Sequence, residues 1–152
     1  MSDLHLQEEP YDGPAAAALI EAVQQEYVER YGGPDESPVQ PDEFAPPDGR
    51  FVVGYIGAEP IATGGIRRNG DDAVEIKRMY VAPPWRGRGL SRQVLSRLEE
   101  LAVELGARRI VLETGMRQPE AMQLYETSGY ERIQGFGHYC GAELSVSYGK
   151  TL

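Results

Sequence analysis

The chain carries a single cysteine, Cys140, a single tryptophan and two histidines in 152 residues. One thiol cannot close an internal disulfide, which fits a reducing compartment. His5 and His138 are too few and too far apart for ligand spacing, so no metal is expected. Long apolar runs are missing as well. The longest, AAAALI, ends at Ile20 and falls far short of the roughly 20 residues that span a bilayer, so no membrane partner is expected. The N-terminal MSDLHLQEEPYDG has neither a basic nor an apolar signal region, and a cytoplasmic location is expected. Positive charge is nearly absent from the first third. Residues 1–49 hold twelve acidic side chains and one arginine, a net of −11, whereas residues 50–152 hold fourteen basic and twelve acidic ones, a net of +2. The total of −9 argues against nucleic acid as a partner. The acidic third reads either as a solvated surface or as a wall that attracts a cationic ligand.

What is present points to one domain over residues 1–152, long enough to bury a core without staples. Residues 3–9 alternate briefly and read as a first strand. Pro14 suits a first helical position, and Ala16, Leu19, Ile20, Val23, Tyr27 and Tyr31 then mark one helical face closed by Gly32 and Gly33. Residues 34–49 carry five prolines and no lysine or arginine, a loop long enough to be functional. Residues 50–57 and 60–68 read as a hairpin turning at Ala58–Glu59, and 72–81 as a third consecutive strand. Leu90, Val94, Leu95, Leu98, Leu101, Ala102 and Leu105 describe an amphipathic helix closed by Gly106. A strand (108–114), a short helix (119–129) and two last strands (130–133, 144–150) complete the order. The result is an α/β chain with a mixed sheet flanked by helices.

The stretch WRGRGLSRQ between the 72–81 strand and the following helix is the most informative. A helix start leaves about four N–H groups without internal partners, and the helix dipole adds partial positive charge there. Glycine lets a ligand approach the backbone closely. Gly87 and Gly89 therefore suit an anion, with Arg86 and Arg88 adding formal charge and Ser91 serving as N-cap or hydroxyl donor. A P-loop would require Gly-Lys-Ser/Thr, and a dinucleotide fingerprint would require glycine where Arg92 stands. Neither motif is present, and the missing lysine disfavours a nucleotide-binding switch.

With this turn in place, the sequence resembles the GNAT superfamily of acyl-CoA-dependent N-acyltransferases, whose signature is Gln/Arg-x-x-Gly-x-Gly/Ala. Arg86 to Ser91 follows it, except that Ser91 stands where Gly or Ala is usual. EIKRMYVAP, RGRGLS, LETG and PEAMQLYETSGY occur in the family's order, and the likeness is strongest over residues 72–133. The resemblance implies a GNAT-like fold with splayed fourth and fifth strands, often with a bulge, and acetyl-CoA as cosubstrate. It places the coenzyme A diphosphate on the amides of Arg86, Gly87, Arg88, Gly89, Leu90 and Ser91. The pantetheine arm would lie along the main chain of Met79, Tyr80 and Val81. Tyr125, in LYETSGY, takes the place of the family's acid, which protonates the departing thiolate. The same tyrosine shares a helical face with Ala121 and Leu124 and reads equally as core.

Glu75 is the first candidate for the base, with Glu113 as its rival; Glu75 could instead pair with Arg67, Lys77 or Arg78. In a regular strand, Glu75, Lys77, Met79 and Val81 would share one face, a count that a bulge would break. The Gly-rich loop around Tyr139 and Cys140 is placed to cover an acceptor site, and Cys140 is not read as a nucleophile. The expected activity is acetyl transfer to a primary amine, with a small cationic molecule as acceptor. The alternative is a non-catalytic acyl-CoA-binding module on the same fold. A homodimer through the final strands is a further expectation.

Overall fold

A computed structural model describes residues 3–152. Seven strands form one sheet: β1 (Leu4–Glu8), β2 (Gly49–Ile56), β3 (Glu59–Arg68), β4 (Ala73–Val81), β5 (Arg109–Gly115), β6 (Glu131–Ile133) and β7 (Ser145–Thr151). Three α-helices accompany them: α1 (Pro14–Tyr31), α2 (Leu90–Glu104) and α3 (Pro119–Thr127). Short 3-10 turns cover Pro41–Phe44 and Pro83–Trp85. The strand order is β1-β2-β3-β4-β5-β7-β6. Pairing is antiparallel except between β4 and β5, which gives the mixed sheet expected. Among the described residues no helix is long and apolar enough to cross a membrane.

The element order follows the sequence reading, with small differences. Pro14 opens α1, and Gly32 closes it in the left-handed conformation at φ 81°. The β2–β3 turn falls at Gly57–Ala58 rather than at Ala58–Glu59, because Ile56 already pairs with Glu59 and Gly57 supplies the positive φ of 59° that a tight turn requires. β7 lies between β5 and β6. It is therefore an interior strand, and only the three-residue β6 offers an edge to a second copy at that end of the sheet.

Two apolar layers sandwich the sheet. On one face α1 sets Ala16, Leu19 and Val23 against Phe51, Val53 and Tyr80. On the other, α2 packs Leu90, Val94, Leu95, Leu98, Leu101 and Ala102 against Val52, Ile66, Val74 and Ile110, and α3 adds Tyr125. The helical spacing of those α2 residues explains why the helix lies flat on the sheet. Its position fixes the turn that precedes it.

Two irregularities in β4 shape everything near the site. The first is a bulge. Thr63 pairs with Tyr80 and Gly65 with Lys77, so Arg78 and Met79 together oppose the single residue Gly64. Arg78 sits at φ 60°, the one non-glycine positive φ among the described residues, a conformation that costs on the order of 1–3 kcal/mol. The Thr63 hydroxyl donates to the Arg78 carbonyl at 2.8 Å and holds the kink. The bulge reverses the faces of the strand. Val74 and Ile76 share the α2 layer with Met79 and Val81, while Tyr80 joins the α1 layer. Glu75, Lys77, Met79 and Val81 therefore do not share a face.

The second irregularity is a parting of strands. β4 pairs with β5 only from Ala73 to Glu75, against Arg109 to Val111. Beyond that point the two strands separate and the sheet is open.

Gly64, opposite the bulge, leaves no room for a side chain. A Cβ there would come within 2.8 Å of Val94 Cγ1 and 2.9 Å of Leu98 Cδ1. We expect Gly64→Val to push α2 off the sheet and to destabilise the fold by about 1–3 kcal/mol or more, read as a lower midpoint in urea denaturation. An unchanged midpoint would show that α2 is not seated as described.

Candidate active site

The gap between β4 and β5 joins two cavities. The larger, about 430 Å³, is lined by Tyr27 and Tyr31 of α1, Lys77, Arg78 and Met79 of β4, Leu112 and Glu113 of β5, and Ala121 and Tyr125 of α3. Helices α1 and α3 lie on opposite faces of the sheet, so a cavity touching both must pass through the opening between the strands. The smaller cleft, about 180 Å³, runs along Met79, Tyr80 and Val81 to Arg86, Gly87, Gly89, Leu90 and Ser91. Both cavities share Met79, Gln118, Ala121 and Tyr125. The strand parting thus makes one continuous channel, with Tyr125 where the two parts meet.

The Gly-rich turn is at the far end of the cleft. Gly87 and Gly89 stand at φ 79° and 77°, and a Cβ built at either would point into open space. Glycine is required there by conformation, and the turn faces outward. Gly89 is the N-cap of α2 and makes no side-chain cap bond. Ser91 lies in the first turn and is not the N-cap, because Gly89 in its left-handed conformation already ends the preceding segment. Among the described residues, the amides from Gly87 to Arg92 donate to no protein acceptor. They retain the unpaired N–H groups and dipole that favour an anion.

The charge of the turn is less free than the sequence suggests. Arg86 is bound by both carboxylate oxygens of Glu26 on α1, at 2.8 and 2.9 Å. Its Nε donates to the Val81 carbonyl at 2.8 Å. The Glu26 hydrogen bonds raise the arginine's affinity for its proton. The Arg88 guanidinium stacks over Trp85 at 5.0 Å.

Tyr125 is 5% exposed and packs edge-on against Tyr130, as a core residue would, but its hydroxyl reaches the shared part of the channel. That hydroxyl's single hydrogen bond among the described residues is a weak one to Met79 Sδ, at 3.7 Å. Burial pushes the phenol above its ordinary value of 10, so it keeps its proton at neutral pH.

The two carboxylates proposed as base differ in their surroundings. Glu75 is 5% exposed and takes two contacts from Arg67, Nε and Nη2 each at 3.1 Å. Of the three pairings considered from the sequence, Arg67 is the one formed, and Glu75 is not on the wall of either cavity. Glu113 is on the wall of the larger one. Its Oε2 accepts from the Tyr139 amide at 3.1 Å, and its Oε1 is buried without a hydrogen-bond partner. Burial is the largest influence on this carboxyl and raises it above 4.5. The Tyr139 amide opposes that rise, and Glu75 adds to it.

The sequence reading missed one cluster altogether. Asp35, in the Pro-rich loop, accepts from Lys77 Nζ at 2.8 Å, from the Ser37 hydroxyl at 2.7 Å and from the Tyr139 hydroxyl at 2.7 Å. Arg78 adds an ion pair. Burial alone would raise the Asp35 carboxyl, but Lys77 above all, then Tyr139 and Ser37, hold it well below its ordinary 3.8. Only the bulge turns both Lys77 and Arg78 to this side, and no period-2 pattern shows that. Among the described residues, no group of three or more His, Cys, Asp or Glu gathers as metal ligands would. Cys140 is exposed and its Sγ donates to the Gly135 carbonyl.

Removing one partner of a buried ion cluster leaves uncompensated charge. Asp35→Ala should therefore cost about 3–5 kcal/mol, measured by denaturant unfolding at neutral pH. The sign with pH follows from the depressed carboxyl. The stabilisation is present at neutral pH and fades as pH falls below the ordinary 3.8. A variant as stable as the native chain at pH 7 would contradict the cluster.

Comparison with known proteins agrees with this geometry. The model of the acetyltransferase (GNAT) family matches residues 17–130. IAA acetyltransferase of Azospirillum brasilense is 30% identical over 148 residues, covering 93% of this chain and 95% of that protein. A crystal structure assigned as an acyl-CoA N-acyltransferase from Klebsiella pneumoniae superposes with a TM-score of 0.83 at 27% identity, covering 98% of this chain and 97% of the other. A GNAT family acetyltransferase from Elizabethkingia anophelis, solved with acetyl-CoA bound, shares the fold with a TM-score of 0.72 at 14% identity, over 98% of both chains. The chain belongs to the acetyltransferase (GNAT) family.

Proposed function

We propose that this chain transfers an acetyl group from acetyl-CoA to a primary amine by direct attack, with Tyr125 as acid and Glu113 as base. The observation that carries this reading is the meeting of the two cavities at Tyr125 and Met79. One cavity is narrow and ends on unpaired amides, the other is roomy and lined by a buried carboxylate. The residues present fit the cosubstrate, because the outward Gly87 and Gly89 and the unbonded start of α2 form a cradle that a Cβ would spoil. Acetyl-CoA supplies the activated thioester when bound.

In this reading the amides of Gly87 to Ser91 hold the diphosphate, the Arg86 amide being taken by the Pro83 carbonyl at 3.3 Å, and the main chain of Met79, Tyr80 and Val81 receives the pantetheine arm. Arg86 must then release the Val81 carbonyl, and Glu26 is placed to draw the guanidinium away. Tyr125 donates its proton to the leaving thiolate. Glu113 takes on Oε1, the oxygen without a partner, the proton that frees the amine's lone pair, and the second proton the nitrogen sheds after attack restores the Tyr125 phenol. Glu75, the first candidate from the sequence, is the weaker one, because Arg67 holds its carboxylate away from the cavity. Orientation of both reactants in one channel supplies the proximity.

The acceptor is a small amine that arrives as a cation. Of the acidic third, Asp35 and Glu36 reach the larger cavity. Asp35 is taken up by Lys77 and Arg78, so Glu36 and Glu113 remain to favour positive charge. An amine panel with acetyl-CoA, read by thiol release, tests this. Acetylation of anionic or neutral amino acids alone would reject it, and coenzyme binding with no turnover on any amine would favour a binding module.

With an acceptor from that panel, Tyr125→Phe and Glu113→Gln should each lower the single-turnover rate by roughly 10²–10⁴-fold. The native kcat/KM should fall on acidification through a limb above the ordinary carboxylate range, because Glu113 is raised and must be deprotonated to act. Glu113→Gln should remove that limb. Full rate in either variant, with chemistry limiting, would remove that residue from its role.

A further inference from the structure

The loop between β6 and β7 lies on Glu113. A Cβ built at Gly137 would come 2.5 Å from Glu113 Oε1, so the loop backbone passes close over that carboxylate at the wall of the larger cavity. Yet the loop has few ties to the rest of the protein. Within it, the Cys140 amide and thiol and the Ala142 amide bond to other loop residues. Among the described residues, every hydrogen bond that leaves residues 134–143 toward another element runs through Tyr139, the Ser145 amide at the start of β7 apart.

Tyr139 makes three such bonds in two directions. Its amide donates to Glu113 Oε2 at 3.1 Å. Its hydroxyl donates to Asp35 Oδ1 at 2.7 Å and accepts from the Glu36 amide at 2.8 Å. Asp35 is itself fixed by Lys77 and Arg78 from the bulged part of β4. The side chain therefore anchors the loop to a rigid ionic cluster, while the main chain of the same residue holds the carboxylate. With Oε2 occupied by the amide, Oε1 is the oxygen left to accept a proton.

We infer that Tyr139 is a positioning residue for Glu113: its hydroxyl clamps the β6–β7 loop to Asp35, and this keeps the Glu113 carboxylate dry and oriented with Oε1 toward the amine. The inference rests on the reading of Glu113 as base. The groups that face Glu113 are Glu75 and Lys77 from β4, Asp35 from the α1–β2 loop and Tyr139 itself. Releasing the clamp removes two opposing influences at once. Burial, which raises the carboxyl, is the larger, and the Tyr139 amide bond, which lowers it, is the smaller. Release therefore changes the pH at which this carboxyl titrates.

The test is Tyr139→Phe, which keeps the ring and the amide and deletes only the hydroxyl. Carbon-13 titration of the Glu113 carboxyl reports on the site without any acceptor. It should move away from its native position in Tyr139→Phe, and amide exchange across residues 135–141 should speed up. With a panel acceptor, kcat should drop about tenfold, less than the 10²–10⁴ expected for loss of the base, and the acid limb should move with the carboxyl. A titration and loop exchange identical to the native chain would overturn the clamp, even where Glu113→Gln is inactive and the base reading holds. Full activity in Glu113→Gln would end the base reading and, with it, the role given to Tyr139.

Discussion

Two parallel strands that pair over three residues and then part are the constraint on which the rest depends. Had β4 and β5 stayed together, the sheet would be closed, and neither cavity could be lined by both α1 and α3. Parting leaves main-chain groups of β4 unpaired, and buried backbone groups are rarely left that way. One is covered here by Arg86, which reaches back to the Val81 carbonyl. An extended amide-containing ligand would satisfy such an edge as another strand does. The bulge acts together with the parting. By turning Lys77 and Arg78 to the same side, it sets two cations beside the opening, and Asp35 draws the Pro-rich loop down onto them.

The uneven charge of the sequence acquires a meaning in the fold. Part of the acidic third has a structural role. Four of its twelve carboxylates pair with arginine and lysine of the later residues: Glu26 with Arg86, Asp35 with Lys77 and Arg78, Glu43 with Arg67, Glu8 with Arg50. The first third is held against the sheet by these contacts as well as by the apolar face of α1. Exposed pairs of this kind are individually weak. The Asp35 cluster is different, because it is buried and its partners come from a strained strand.

Much of the architecture was legible in the residues. Helix α2 showed itself through seven apolar positions at helical spacing, and both its flanking glycines fell where the chain needs a left-handed residue. The turn from Arg86 to Ser91 was readable because glycine and a helix start have direct physical consequences for an anion. The bulge was not. It arises from cross-strand pairing with Gly64, and nothing local to Lys77-Arg78-Met79 distinguishes it from a regular strand. Glu75 came first because the resemblance puts an acid on its strand, and nothing in the sequence shows that Arg67 takes it up; Asp35, inside a Pro-rich loop, carried no visible chemistry. The order of β6 and β7 was equally hidden, since two short final strands fit either position.

The most direct measurement is a nitrogen-15 amide titration of the native chain with coenzyme A. The account predicts that the Gly87, Gly89, Leu90 and Ser91 amides shift most, joined by Met79, Tyr80 and Val81 along the strand edge. Saturable binding that leaves those amides in place and perturbs another part of the surface would contradict it.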